Sequence, residues 1–134
     1  MAARGTIPGV SLDDKLVLDA TKVYPFESLP VKRTATGGEG RDVLHGVTAT
    51  GEAIALHESM LPPGAPPNPA HRIAHSEVIM IQQGTVELTH DGVTEMAGPG
   101  GVLFVALGTL HQMRNTGPTP ARYFVLAIGG DVKP

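Results

Sequence analysis

Two stretches of the chain decide its fold: GAPPNPAHRIAHSEVIMIQQG at residues 64–84 and GGVLFVALGTLHQMRN at residues 100–115. In each stretch a short run of β-branched and aliphatic residues lies close to a glycine, which is typical of a strand that ends in a turn. The prolines of residues 62–69 lack the backbone N–H that a central strand donates, so this segment is expected to be an extended connection. Both stretches therefore predict short strands between stiff turns.

The same alternation of short strands and turns continues through the chain from residue 41. Asp91 and Gly92 form a pair that is typical of a two-residue β-hairpin. No window shows the 3.6-residue apolar period of an amphipathic helix, so the sequence predicts an all-β fold, either a sandwich or a barrel. The predicted strands are 42–49, 53–61, 71–74, 77–82, 85–90, 93–97, 102–106, 111–115 and 122–128.

Composition excludes several classes of protein. The chain has 134 residues and a mass of 13.9 kDa, which is enough for one domain. It has no cysteine, so disulfides, thiolate metal sites and a cysteine nucleophile are excluded. The net charge of −3 gives no basic excess for nucleic-acid binding, and no apolar run is long enough to cross a membrane.

Residues 1–40 are irregular and are expected to form a partly extended N-terminal arm on a single barrel domain of residues 41–134. The apolar residues between Leu16 and Val31 are too few for a separate core, and the edge strands of an open sheet need covering. We therefore expect the arm to pack on the sheets of a neighbouring subunit, in a twofold homodimer.

The first ten residues contain one arginine and no apolar segment, so they do not resemble a signal peptide. A cytoplasmic location is the expectation from this pattern. The alternative is an exported protein whose signal peptide is absent from this chain.

Histidine and glutamate side chains of the first stretch fall on one face. Side chains alternate between faces along an extended segment, so His71, Ile73, His75 and Glu77 would point the same way. His111 begins a second row of this kind later in the chain. Two imidazoles and a carboxylate that converge from different strands form a 2-His-1-carboxylate site, which suits Fe(II) and also accepts Mn, Ni, Cu or Zn.

The spacing of these residues resembles the two signature motifs of the cupin superfamily. The first stretch reads Gly64-x6-His71-x-Ile73-x3-Glu77-x6-Gly84 and the second reads Gly100-x5-Ala106-x-Gly108-x2-His111-x3-Asn115. Two ordered motifs with matching internal spacings are more specific than either motif alone. The chain thus resembles small single-domain bacterial cupins. The resemblance implies an antiparallel jelly-roll β-barrel, also called a double-stranded β-helix, with a metal inside its wider end.

The chain departs from the cupin motifs at two positions. Ala106 replaces a proline that stiffens a turn, which is expected to matter little. Ile73 replaces the second histidine of the His-x-His element, so three of the four usual cupin ligands are present, namely His71, Glu77 and His111. The resemblance implies one divalent transition metal (Fe, Mn, Ni, Cu or Zn) on these residues, with Ile73 as an apolar wall of the pocket.

Two further histidines each have two interpretations. His75 either turns into the barrel and supplies the fourth ligand, or stays in the turn at the barrel mouth and faces solvent or substrate. His57 either points into the barrel, as it does if Leu61 points inward, or belongs to a solvated strand face. The expected pocket residues are His57, Ile73, Ile79, Met113 and Asn115.

Three functions are compatible with these residues. The first is a metal-dependent enzyme, dioxygenase-like or isomerase-like, that acts on a small organic molecule. Oxygenase chemistry is favoured because three protein ligands leave positions open for substrate and dioxygen. The second is a non-catalytic module that binds a small molecule without metal, because Ile73 replaces a ligand. The third is an inactive relative retained for assembly or stability, since a cupin fold alone does not fix its chemistry.

Overall fold

The computed structural model describes residues 16–132, which form ten strands and one 3-10 turn at Phe26–Ser28. The all-β expectation is therefore confirmed. Within this range no helix is long and apolar enough to cross a membrane. The strands are β1 Val17–Leu18, β2 Lys32–Arg33, β3 Glu39–Thr48, β4 Ala53–Leu61, β5 Ser76–Gln83, β6 Val86–His90, β7 Val93–Ala97, β8 Val102–Val105, β9 His111–Arg114 and β10 Ala121–Ile128.

The strands form two sheets in the jelly-roll arrangement. The larger sheet has the order β1-β3-β4-β10-β5-β8, with β2 also paired to β3, and the smaller sheet has the order β7-β6-β9. Every pair is antiparallel except β1 with β3. The faces that point inward form one apolar core, which consists of Ile73, Ile79, Ile81, Val86, Leu88, Leu103, Val105, Ala121, Tyr123 and Val125.

The inner face of the larger sheet becomes polar at β4. On β10, alternate residues are buried, and two of them, Tyr123 and Val125, lie opposite Ser59 and His57 of β4. Cross-strand partners share one face of a sheet, so Ser59 and His57 point into the barrel. This register places a hydroxyl and an imidazole beside the apolar core.

Predicted and observed strands agree best where turn residues bound the strand. β4 and β7 have the predicted limits, and Asp91 and Gly92 turn the chain with φ of 48° and 78°, as a two-residue hairpin requires. The predicted strand 71–74 is wrong, because only His71 pairs with another chain segment, in a single bridge to His111. The next carbonyls, of Ile73 and Ala74, accept hydrogen bonds from turn residues instead, so no ladder forms.

The arm packs on its own chain. β1 pairs in parallel with β3, and β2 pairs with the other end of β3. Phe26 covers the guanidinium group of Arg41, whose carbon lies 4.4 Å from the ring centroid. The expectation that residues 16–31 cover a neighbouring subunit is therefore wrong, because β3 of the same chain offers them an open edge. β3 begins at Glu39, next to the boundary that the sequence analysis places at residue 40.

Apolar side chains also lie on the outside of the larger sheet. Val102 and Phe104 of the edge strand β8 are each 64% exposed. They lie directly opposite Met80 and Val78 of β5, so the four side chains form one outer patch.

Candidate functional site

A cavity of about 320 Å³ lies inside the barrel and is bordered at its mouth by the proline-rich segment 62–69. Side chains from β4, β5, β9 and β10 supply its walls. The candidate residues among its lining are His57, His71, Glu77, Ile79, His111, Met113 and Asn115. The cavity thus brings together both motif histidines and the motif glutamate.

His71 and His111 form a pair at the polar end of this cavity. Their backbones exchange two hydrogen bonds of 3.0 Å, and their ring centroids are 4.6 Å apart. Each ring donates from Nδ1 to a carbonyl oxygen two residues earlier, at 3.3 Å for Pro69 and 3.0 Å for Thr109. These bonds assign the proton to Nδ1 and leave the lone pair of each Nε2 for a ligand, the tautomer that metal-binding histidines commonly use.

Glu77 is held by His75. The Nε2 atom of His75 donates to Oε2 of Glu77 at 2.8 Å, and its Nδ1 atom donates to Oδ1 of Asp131 at 2.7 Å. Burial lowers the pKa of His75, but these hydrogen bonds outweigh it and raise the pKa above the usual 6.5. Both ring nitrogens are occupied, and His75 is not among the residues that line the cavity. This geometry does not place it as a fourth ligand.

His57 points into the barrel, which is the first of the two interpretations. Burial lowers the pKa of His57 below 6.5, although the nearby charges of Glu77, Asp42 and Glu58 act in the opposite direction. The imidazole is therefore neutral near neutral pH. A neutral imidazole offers a lone pair to a metal or to a ligand donor.

Tyr123 is a cavity residue that the sequence analysis missed. Burial raises the pKa of Tyr123 to about 12, while a hydrogen bond with Ser59 acts in the opposite direction. The phenol thus keeps its proton and can donate to a ligand. The period-two pattern of β10 was the available signal, because Ala121, Tyr123 and Val125 are its three buried residues.

Asn115 supports the wall rather than offering free polar atoms. Its Nδ2 atom donates to the carbonyl oxygens of Leu61 and Thr119 at 3.0 and 2.8 Å. Its Oδ1 atom accepts from the backbone N–H of Gly117 at 2.9 Å. The amide of Asn115 therefore fixes the loop between β9 and β10.

Ile73 belongs to the hydrophobic core, where it is 8% exposed, and is not among the residues that line the cavity. Face alternation needs a regular strand, but residues 72–73 lie outside any strand and only His71 forms a bridge. Ile73 thus does not have to share the face of His71, and it packs in the core instead.

The donor types suit a transition metal, but their arrangement stops short of a complete site. Two imidazoles with free Nε2 atoms and one carboxylate line the same cavity. Within residues 16–132, however, no three His, Asp or Glu side chains converge closely enough to hold an ion. Glu77 is bound through its Oε2 atom to His75, and its Oε1 atom is not part of that hydrogen bond.

A family model described as a cupin domain matches residues 57–128, which span both histidine motifs and the strands between them. This chain belongs to the cupin family. The match covers β4 from residue 57 onward and all of β5 to β10. No curated protein matches this cupin.

Solved structures show the same fold. KdgF from a Halomonas species superposes with a TM-score of 0.69 at 15% identity, over 84% of this chain and 97% of that one. The polyketide cyclase RemF from Streptomyces resistomycificus has a TM-score of 0.65 at 19% identity, over 81% and 80%. A sugar phosphate isomerase from Silicibacter pomeroyi has a TM-score of 0.64 at 16% identity, over 81% and 76%. At these identities the likeness concerns the fold, and the named activities differ from one neighbour to the next.

Proposed function

We propose that this cupin binds a small organic molecule in its barrel cavity, beside one divalent transition metal (Fe, Mn, Ni, Cu or Zn) held by His71, His111 and Glu77. The observation that carries the proposal is the histidine pair. Two adjacent rings, each with Nδ1 bound to a backbone carbonyl, offer two Nε2 lone pairs to the same cavity.

Glu77 supplies the anionic donor of the proposed set. It lines the cavity together with both histidines, and its Oε1 atom is not the one that binds His75. Through this Oε1 atom, Glu77 would complete a 2-His-1-carboxylate set. Such a set suits Fe(II) and keeps positions open for substrate and dioxygen, which favours oxygenase chemistry. Tyr123 and His57 then offer a donor and an acceptor to the bound molecule.

A non-catalytic binding module without metal is the second candidate. The observation that favours it is the absence of any three-donor cluster among the side chains of residues 16–132. The isoleucine at residue 73 agrees with it, because the fourth cupin ligand is then missing. In this case the histidines form hydrogen bonds with a polar ligand, as donors or as acceptors.

Metal analysis distinguishes the two candidates. Protein purified without chelators should carry close to one transition ion per chain, and stripped protein should bind Mn(II), Fe(II), Ni(II) or Zn(II) in calorimetric titrations. His71→Ala should abolish this binding. His45→Ala is the matched control, because His45 lies on β3 and is not among the residues that line the cavity. Binding that survives His71→Ala, or no binding in wild type, would leave the metal-free module.

We also propose that the protein is a homodimer that buries the outer patch of Val78, Met80, Val102 and Phe104. Exposed contiguous apolar surface of this kind marks an interface, and the two β8 residues are its most exposed members. Light scattering at micromolar concentration should give twice the chain mass of 13.9 kDa. Phe104→Lys should give the single-chain mass, and a dimer that tolerates this change would contradict the assignment of the patch.

A further inference from the structure

A chain of three side chains links the cavity wall to the turn that follows β10. Asp131 Oδ1 accepts from Nδ1 of His75 at 2.7 Å, and Glu77 Oε2 accepts from Nε2 at 2.8 Å. The three residues come from different elements: Asp131 from the turn, His75 from the bend before β5, and Glu77 from β5 itself. We call them the cavity triad.

Backbone hydrogen bonds hold the turn of Asp131 beside His75. The N–H of Asp131 donates to the carbonyl oxygen of Ala74 at 3.0 Å, and the N–H of Gly129 donates to the carbonyl oxygen of Ala53 at 2.8 Å. Gly130 has φ of 54°, and a Cβ atom at this position would collide with the Ala74 carbonyl. The turn therefore needs glycine at residue 130 in order to bring Asp131 to His75.

We infer that Asp131 and His75 are positioning residues that hold Glu77 by its Oε2 atom, so that Oε1 is left for a metal in the cavity. The inference rests on the proposed function of the site. Both ring nitrogens of His75 donate to carboxylates, so the ring orients Glu77 and does not coordinate an ion. In this arrangement a residue that does not touch the metal hydrogen-bonds to a ligating side chain and orients it. We call such a residue an outer partner.

Binding of Co(II) to the full chain tests this inference. Calorimetry measures the affinity, and the visible spectrum reports the coordination of the bound ion. Removal of an outer partner commonly weakens metal affinity 10–100-fold. Asp131→Asn and His75→Ala should each show a loss of this size, and His75→Gln should recover part of it because an amide N–H can replace one donor. Asp131 is 62% exposed, so the isosteric Asn change should leave folding intact.

Asp91→Asn is the matched control. Asp91 accepts a hydrogen bond of 2.8 Å from Nδ1 of His90, as Asp131 does from His75, but neither Asp91 nor His90 is among the residues that line the cavity. Its Co(II) affinity and spectrum should equal those of wild type. An equal loss in Asp91→Asn would mean that the effect is not specific to the cavity triad and would overturn the inference.

Three other results separate this inference from the proposed function. If wild type binds Co(II) and the variants bind it equally well, the inference fails and the proposed function stands. A second result is that His75→Ala abolishes binding, that His75→Gln recovers none of it, and that Asp131→Asn has no effect. In that case His75 is a ligand, and the inference also fails. If wild type binds no metal, the proposed function fails. The remaining part of the inference, that Asp131 and His75 hold Glu77 in place, is then decided by ¹⁵N shifts of His75 and the ¹³C shift of the Glu77 carboxyl. Both shifts must change in Asp131→Asn, and unchanged shifts would overturn this part as well.

Discussion

Two groups of side chains in this molecule have the same composition but different surroundings. In the cavity triad, His75 donates to Asp131 and Glu77 at 2.7 and 2.8 Å. On the β6–β7 hairpin, His90 donates to Asp91 and Glu95 at 2.8 and 2.6 Å. We call the second group the hairpin triad. The contacts themselves do not distinguish the two groups.

The difference lies in how far apart in the chain the partners are and in what surrounds them. The members of the hairpin triad are neighbours across a two-residue turn, because His90 pairs with Val93 and Glu95 is two residues further along β7. The side chain of Glu95 is 68% exposed, whereas that of Glu77 is 17% exposed. Solvent screens an exposed ion pair so that it contributes little, whereas a carboxylate at a cavity wall can act on a bound group. We therefore expect position in the fold, and not composition, to decide which triad acts on a bound group.

Removal of the carboxylates tests this comparison with the largest expected effect. Glu77→Ala deletes the only anionic donor of the proposed metal set, so Co(II) affinity should fall about 100-fold or more, beyond the loss expected for an outer partner. Glu95→Ala should leave the affinity unchanged, because Glu95 is not among the residues that line the cavity. Calorimetric titration of both variants measures the contrast. Equal affinities for the two variants would show that the cavity triad is no more functional than the hairpin triad.

Glycine substitutions give the next largest contrast. Gly92→Ala puts a side chain into open space with φ of 78°, so it should cost only the conformational penalty of about 1–2 kcal/mol in unfolding free energy. Gly130→Ala adds a collision with the Ala74 carbonyl to the same penalty, so its cost should be larger.

Urea denaturation measures both costs, and Co(II) titration adds a second readout. Gly130→Ala moves the turn that carries Asp131, so it should weaken Co(II) binding about 10–100-fold, as removal of an outer partner does. Gly92→Ala should not affect the binding. If Gly130→Ala proves as stable as Gly92→Ala and binds Co(II) normally, the turn does not hold the cavity triad.

The hairpin triad could be predicted from sequence more readily than the cavity triad. Asp91 and Gly92 specify a two-residue turn, and this turn fixes the register that brings Glu95 beside His90. His75 and Asp131 are 56 residues apart, and Asp131 lies in a turn without periodicity. Local patterns do not encode such a contact, because it depends on how β10 ends against the bend before β5.

The same reasoning explains which site residues the sequence located. Motif spacing led to His71, Glu77 and His111, and all three line one cavity. Face alternation gave the wrong position for Ile73, because alternation holds only within a regular strand and pairing here is limited to the single bridge at His71. The arm was misplaced for a related reason, since the sequence does not show that β3 has an open edge for it.

The smallest expected effect concerns the pH dependence of the hairpin triad. Hydrogen bonds to Asp91 and Glu95 raise the pKa of His90 above 6.5. A raised folded-state pKa means that the native protein binds the proton more tightly than the unfolded chain. The stabilisation is therefore complete below pH 6.5 and is lost as the pH rises through the folded-state pKa. Relative to wild type, His90→Gln should lose more unfolding free energy at about pH 6 than at about pH 9, by a small amount because the triad is exposed.

An NMR titration of the His90 ring and urea denaturation at both pH values measure this effect. Co(II) binding by His90→Gln should match wild type, because no member of the hairpin triad lines the cavity. A His90 pKa at or below 6.5 would contradict the hydrogen bonds on which the comparison rests. A change in Co(II) binding would show instead that the hairpin and the cavity are coupled, and that exposure alone does not separate the two triads.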